Sequence, residues 1–333
     1  MSKPQLMKPF LRSTITILFL LHVVTLLKAN ETNERHLLVT YSCYVTGFPA
    51  NGKDLAIWIP VPISDDRQSV EITSADLSSG QITREEKYGN SMYYRRVNIS
   101  SFTSNDTLKI TLTYKVSIKE KKIPEAQQLT PLSKTAAEKS MAIYLTGNRL
   151  IPLEGAVANL TKQLDLPAQP IVAARQVYDY LINTMVYNYK APGAGRGDVI
   201  WACTNKTGDC SDYHSIFIGV CRSSGIPADH IFGLPLKTGK TEAKDWHCWA
   251  SFWVKGPGWI TIDASEAAKH PELRDYNFGT LSNTYLTLSH GRDVILQPAQ
   301  KGEALNIFAD PYAEIDGKAF DGAKWIVTYR EIK

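Results

Sequence analysis

The sequence is poor in the residues that bind metals. Its 333 residues hold five cysteines and seven histidines. There is no C-x-x-C pair and no tight histidine cluster, so no metal and no cofactor are expected. An acidic loop of the EF-hand kind is also missing, which argues against calcium. Surplus charge is lacking too. The formal +4 arises in residues 1–29, where Lys3, Lys8, Arg12 and Lys28 meet no acid, and the remaining 33 basic residues balance the 33 acidic ones. Nothing here calls for nucleic acid or an anionic membrane surface. There is no internal repeat and no low-complexity tract. No apolar run is comfortably long enough to span a bilayer.

The N-terminus has a distinct layout. Basic residues precede the uncharged run Ile15 to Leu27, which is followed by Lys28-Ala29. This reads as a secretory signal over 1–29, or an N-terminal anchor if it is not cleaved. The mature chain is therefore expected to be exported, periplasmic or secreted. The odd cysteine count (Cys43, Cys203, Cys210, Cys221, Cys248) leaves at least one thiol free within a single chain. If Cys210 is that thiol, a disulfide such as Cys203–Cys248 is open, and spacing does not establish it. Asn30, Asn98, Asn105, Asn159 and Asn205 sit in Asn-x-Ser/Thr sequons, which matter only in a host that glycosylates exported proteins.

Residues 36–122 read as strands. Leu108, Ile110, Leu112, Tyr114 and Val116 alternate with polar residues, and Leu37–Val45, Leu55–Val61, Val70–Ile72 and Met92–Ile99 are further strand segments. An antiparallel β-sandwich is expected, with the second segment ending at a sheet edge at Pro60 and Pro62. A charged, proline-marked connector covers 123–152. Helical patterning follows over Ala136–Thr146, Leu153–Leu164 and Val172–Met185.

Gly208-Asp209-Cys210-Ser211-Asp212-Tyr213 opens an apolar run that ends at Gly225-Ile226-Pro227. Tyr213, Ile216, Phe217, Val220 and Cys221 share one stripe of a helix that starts at Cys210. Asp209 suits its N-cap, Asp212 its first turn and Gly225 its stop. A cysteine at that position can be a low-pKa nucleophile. Two strands then form a hairpin over Trp246–Val254 and Trp259–Asp263, turning at Lys255-Gly256-Pro257-Gly258. If Val254 pairs with Gly258, Asp263 stands opposite Trp249, on the face of His247 and one diagonal step from it. If Val254 pairs with Trp259, the two face apart. Cys210, His247 and Asp263 would make a complete set of nucleophile, base and orienting acid.

Gly208-Asp209-Cys210-Ser211-Asp212, Gly225-Ile226-Pro227-Ala228, His247-Cys248-Trp249-Ala250 and Gly258-Trp259-Ile260-Thr261-Ile262-Asp263 resemble the core signature of the transglutaminase-like superfamily, over roughly residues 150–290. The β domain and the tail Ser289–Asp316 are similar to those of exported bacterial members. The resemblance implies an α+β chain, with the β-sandwich followed by a papain-like core over 153–300 and strands of 301–333 completing that core. It implies Cys210 as nucleophile, His247 as base and Asp263 as orienting acid. Trp201 would offer an indole N–H to the oxyanion, as upstream tryptophans do in some members, although core packing is the plainer role for it. Trp249, with Trp246, Trp253 and Trp259, would line a substrate groove or simply pack. The expected activity is acyl transfer or hydrolysis at a glutamine-type or peptide amide of a protein or peptide substrate. Its rivals are a cysteine peptidase or cell-wall amidase, and a binding protein that keeps the fold without catalysis.

Overall fold

The computed structural model describes residues 34–77, 79–123 and 141–333. The leader over 1–29, and the parts of the connector and first expected helix that fall within 124–140, lie outside these. Alternating apolar residues build the first strands: β1 (Glu34–Thr46), β2 (Asp54–Val61), β3 (Gln68–Ser74), β4 (Gly80–Arg84), β5 (Ser91–Asn98) and β6 (Thr107–Lys119). After the connector come α1 (Ala156–Leu164), α2 (Pro170–Thr184), α3 (Val199–Asn205) and the cysteine helix α4 (Cys210–Ser223). Then follow β7 (Ala228–Pro235), β8 (His247–Val254), β9 (Gly258–Ile262), α5 (Ala264–Lys269) and β10 (Tyr285–His290). The chain finishes with β11 (Tyr312–Ile315), β12 (Lys318–Ala319) and β13 (Ala323–Glu331).

The last three strands correct the sequence reading. They do not complete the papain-like core; they complete the sandwich. β13 pairs antiparallel with β1 along its length, Leu37 opposite Glu331 through Val45 opposite Ala323. β11 pairs with β2, from Tyr312 opposite Trp58 to Ile315 opposite Leu55. One sheet therefore runs β13-β1-β6-β3, with Glu242–Ala243 added outside β13, and the other runs β12-β11-β2-β5-β4. The physical reason is that β1 carries an unbroken alternation of buried residues (Leu37, Val39, Tyr41, Cys43, Val45). Such a strand needs a partner on each side, and β13 brings Val327 and Tyr329 to the same core. β2 is an interior strand rather than an edge. β11 reaches only as far as Trp58, however, so Pro60 lies where no neighbour on that side needs its missing N–H.

β9-β8-β7-β10 form a four-stranded antiparallel sheet. One face, with Ala250, Phe252, Ile260 and Ile262, packs against Phe217, Val220 and Cys221 of α4 and Val177 of α2. Leu234, Leu236, Leu286 and Leu288 of the same sheet join the sandwich core instead. Sandwich and helical layer thus share a sheet between them, and 34–333 cluster as one compact unit. Among the described residues no helix is long and apolar enough to cross a membrane.

Val327 is fully buried in the sandwich. Val327→Ala is expected to lower unfolding free energy by about 1.5–3 kcal/mol in urea denaturation. A change near zero would place β13 outside the core.

Candidate active site

Cys210 is the first residue of α4, and local chemistry fixes that start. The Asp209 carboxylate accepts from Ser211 N at 2.8 Å, and Asp212 Oδ2 reaches back to accept from Asp209 N at 3.0 Å, a reciprocal cap. Asp212 also accepts from Gly195 N at 2.8 Å and Gly197 N at 3.0 Å, tying the preceding glycine-rich loop to the helix. Gly208, at φ +147°, has no room for a side chain: a Cβ there would sit 2.4 Å from Asp212 Oδ2. Burial, followed by the charges of Cys210 and Asp212, raises the Asp209 carboxyl to about 7. Gly225 ends the helix at φ +77°, with Ile226 N bonded back to Cys221 O.

The hairpin takes the register that serves the site. Val254 pairs with Gly258 and Ala250 with Ile262. This puts Asp263, one residue beyond β9, on the face of Trp249 and His247. His247 Nε2 and Asp263 Oδ2 are 2.6 Å apart, both buried. Asp263 Oδ1 accepts from Glu266 N at 2.9 Å and Ser265 Oγ at 2.8 Å, so the same carboxylate caps α5. Asp263, expected as the orienting acid, thus makes both contacts, one with the ring and one at the helix start. With Nε2 committed to Asp263, the other ring nitrogen of His247 is left for the Cys210 sulfur, whose interaction with the ring helps to keep it charged.

The electrostatics follow. A hydrogen bond with the Cys248 thiol, against the cost of burial and together with the hydrogen bond and charge of His247, holds the Cys210 thiol well below its usual range. Burial alone would discharge the His247 ring, but the Asp263 charge and hydrogen bond outweigh it and raise its pKa to about 10. Burial likewise opposes the Asp263 charge, and His247 more than reverses it. The stable form near neutrality is thiolate, imidazolium and carboxylate in a row.

The remaining sequence candidates are placed as follows. Trp201 lies on α3, a seven-residue helix. Its indole packs against the main core and over Gly193, where a Cβ would sit 2.7 Å from Nε1. Trp249 is fully buried against Tyr285, its indole N–H without a partner. All five cysteines are free. The Cys203–Cys248 disulfide does not form, because Cys203 packs on the helical core while Cys248 belongs to a cluster with Cys210 and Phe232.

Two features had no legible signal. Arg292, fully buried, donates to Gly197 O at 2.8 Å and Ser215 Oγ at 2.7 Å, and also to Arg196 O and Asn306 Oδ1. It pins the glycine loop against α4, and burial lowers its pKa to about 10. His214, His230 and Cys248 bring their donor atoms within 4.8 Å of one another, the kind of group that can share a metal ion. The protein already engages two of them. His214 Nε2 accepts from Ala264 N at 3.2 Å, and Cys248 Sγ lies 3.7 Å from both His214 Nδ1 and Ser211 Oγ. His230 stacks on Phe232 at 4.5 Å. Neither of its ring nitrogens has a hydrogen-bond partner.

Residues 158–264, the span from α1 to the start of α5, match the family model of the transglutaminase-like superfamily. This is a transglutaminase-like domain. The match takes in Cys210, His247 and Asp263, and the fold extends beyond it. A crystal structure from Cytophaga hutchinsonii, described as "a Putative Cysteine Protease", superposes with TM-score 0.58 at 15% identity, covering 91% of this chain and 92% of that one. The transglutaminase-like domain therefore sits in a mixed α and β architecture shared almost end to end with that structure. An uncharacterized protein of Haemophilus influenzae is 25% identical over 299 residues, 78% of this chain and 80% of its own length. The periplasmic domain of TgpA from Pseudomonas aeruginosa aligns with TM-score 0.39 and 15% identity over 74% of this chain and 94% of that one.

Iodoacetamide should alkylate Cys210 at a rate nearly flat between about pH 6 and 9, because the thiolate persists while the His247 ring stays charged. In His247→Ala the rate at about pH 6.5 is expected to fall about 10–100-fold and to climb with pH as for an ordinary thiol. Peptide mapping by mass spectrometry reads both.

Proposed function

We propose that this chain is an exported thiol acyltransferase or hydrolase of transglutaminase-like type, acting on an amide of a protein or peptide. The observation that carries the reading is the 2.6 Å contact of His247 with Asp263, on a ring whose charge, with that of the sulfur at the start of α4, holds the Cys210 thiol low and the His247 pKa high. The Cys210 thiolate attacks the amide carbon. Its electron pair makes the C–S bond while the carbonyl pair moves onto oxygen. Cys210, as the first residue of its helix, has a backbone N–H without an intrahelical acceptor, suited to that developing oxyanion. Collapse expels the amine, which takes the proton held on His247, and leaves a thioester. An incoming amine or water, deprotonated by the neutral ring, then attacks the thioester, and the thiolate departs. Asp263 keeps the ring oriented and balances its charge throughout.

Two observations bear on transfer against hydrolysis and on location. Cys210 and His247 are only 6% and 8% exposed, and restricted water access favours an amine over water as acceptor. Export rests on the N-terminal layout of basic residues and an apolar run.

The test pairs a glutamine-containing peptide with a fluorescent primary amine and follows products by mass. The wild type is expected to give an amine adduct or the free acid, and Cys210→Ala neither. Asp263→Asn should lower kcat about 10²–10⁴-fold with KM little changed. Free acid with no amine incorporation would make the enzyme a peptidase or amidase. Equal behaviour of wild type and Cys210→Ala would leave a non-catalytic binding protein.

A further inference from the structure

Among the described residues, the face of the β9-β8-β7-β10 sheet that turns away from α4 carries no α-helix, only the short 3-10 turn Ala142–Tyr144, whose Tyr144 ring packs on Trp259 at 4.8 Å. Cross-strand pairing puts Asp229 opposite Ser251, Ile231 opposite Trp249 and Gly233 opposite His247. This face therefore continues from the His247 end of β8 for two further side chains, roughly 7 Å per step of two residues. The sandwich closes over it. The loop before β3 and the first residue of β3 lay Arg67 and Gln68 across β10: Arg67 Nη2 donates to Tyr285 O at 2.7 Å, and Gln68 Nε2 to Thr287 O at 3.0 Å. Between loop and sheet remains a cavity of about 190 Å³, floored by Trp249, Trp259, Ile231 and Leu281.

Three residues that line this cavity each carry a buried polar atom without a partner: Arg67 Nη1, Asp229 Oδ1 and Trp249 Nε1. The residues are only 5%, 2% and 0% exposed. Each is otherwise held in place. Arg67 is fixed through Nη2, and Asp229 through Oδ2, which lies 2.8 Å from His290 Nδ1. Trp249 is fixed by packing on Tyr285 and by the missing side chain of Gly233, where a Cβ would meet the indole at 2.5 Å. Buried polar groups are ordinarily satisfied, and a charged group left short of a partner is costly. A cation and a carboxylate that line one cavity, each with an unfilled hydrogen-bonding position, form a pair of complementary half-sites. The surrounding charges do not favour one sign: Asp65 and Asp66 stand with Lys121, which pairs with Asp66 at 2.6 Å, and with His290, which pairs with Asp229 at 2.8 Å. A neutral ligand would bring no ion to the open position on either group, and a simple ion would fill only one of them. A volume below that of drug-sized pockets limits the occupant to a small molecule or a chain terminus.

We propose that this cavity is a binding site for a zwitterion of amino-acid or dipeptide size, its carboxylate on Arg67 and the Trp249 indole N–H, its ammonium on Asp229. The site adjoins the thiol chemistry through Trp249, whose ring centroid lies 6.3 Å from that of His247, and it is assayed without turnover. Titration calorimetry of full-length Cys210→Ala with L-alanyl-L-alanine is expected to show one site per chain. N-acetyl-L-alanyl-L-alanine, which lacks the ammonium, and L-alanyl-L-alanine amide, which lacks the carboxylate, should each bind at least about tenfold more weakly. Arg67→Met should erase the difference between the dipeptide and its amide. Asp229→Asn should erase the difference between the dipeptide and its acetylated form. The capped ligands test the unsubstituted cavity, so the comparison stands even where a cavity variant fails to fold. No heat of binding at the solubility limit of the dipeptide would overturn the proposal, as would capped forms that bind as well as the free one, or differences that survive in folded variants.

Discussion

The buried carboxylate of Asp263 is the constraint on which the site depends. One oxygen holds the His247 ring and the other caps α5. A carboxylate taken out of water is costly unless its lone pairs are filled, and here they are. The cap keeps the carboxylate from turning away. The carboxylate keeps His247 protonated, and the protonated ring helps to keep the Cys210 sulfur ionised. The hairpin register sets this chain of dependence. A one-residue slip would send Asp263 to the opposite face, and no side-chain movement would bring it back.

The sulfur is held with equal care from the other side. Asp212 and Arg292 both bind the backbone of residues 195–197, one through its carboxylate and one through its guanidinium. The helix that carries Cys210 is buried from Cys210 to Arg222, so its position is set by packing on every side. The sandwich contributes more than an appended module would. It shares a hydrophobic core with the sheet that bears His247, and it lays a loop over that sheet's outer face.

Much of this was legible in the residues, for definable reasons. The period-3.6 stripe from Tyr213 to Cys221, with Asp209 before it and Gly225 after it, specified α4. The alternation around Lys255-Gly256-Pro257-Gly258 specified the hairpin and reduced its register to two choices. Short elements were missed. α3 and α5 have seven and six residues, too few for a helical period to show, and their aspartate caps also read as turn formers. β13 alternates like any strand, but nothing in its own residues says that its partner lies almost three hundred positions earlier. Arg292, between Gly291 and Asp293, reads as an exposed turn residue, and only tertiary packing makes it a buried cation. Trp249 was expected to line a groove or to pack. It does pack, but the cavity it faces needs Arg67, which comes from the other end of the chain.

The central claim is that His247 is an imidazolium at neutral pH because it lies between a carboxylate and a thiolate. Nitrogen-15 NMR of histidine-labelled protein measures this directly. The account predicts two protonated ring nitrogens on His247 at pH 7, a titration midpoint near 10, and a downward shift of that midpoint in Cys210→Ala. A neutral His247 ring at pH 7 in the wild type, or a midpoint unmoved by loss of the sulfur, would contradict it.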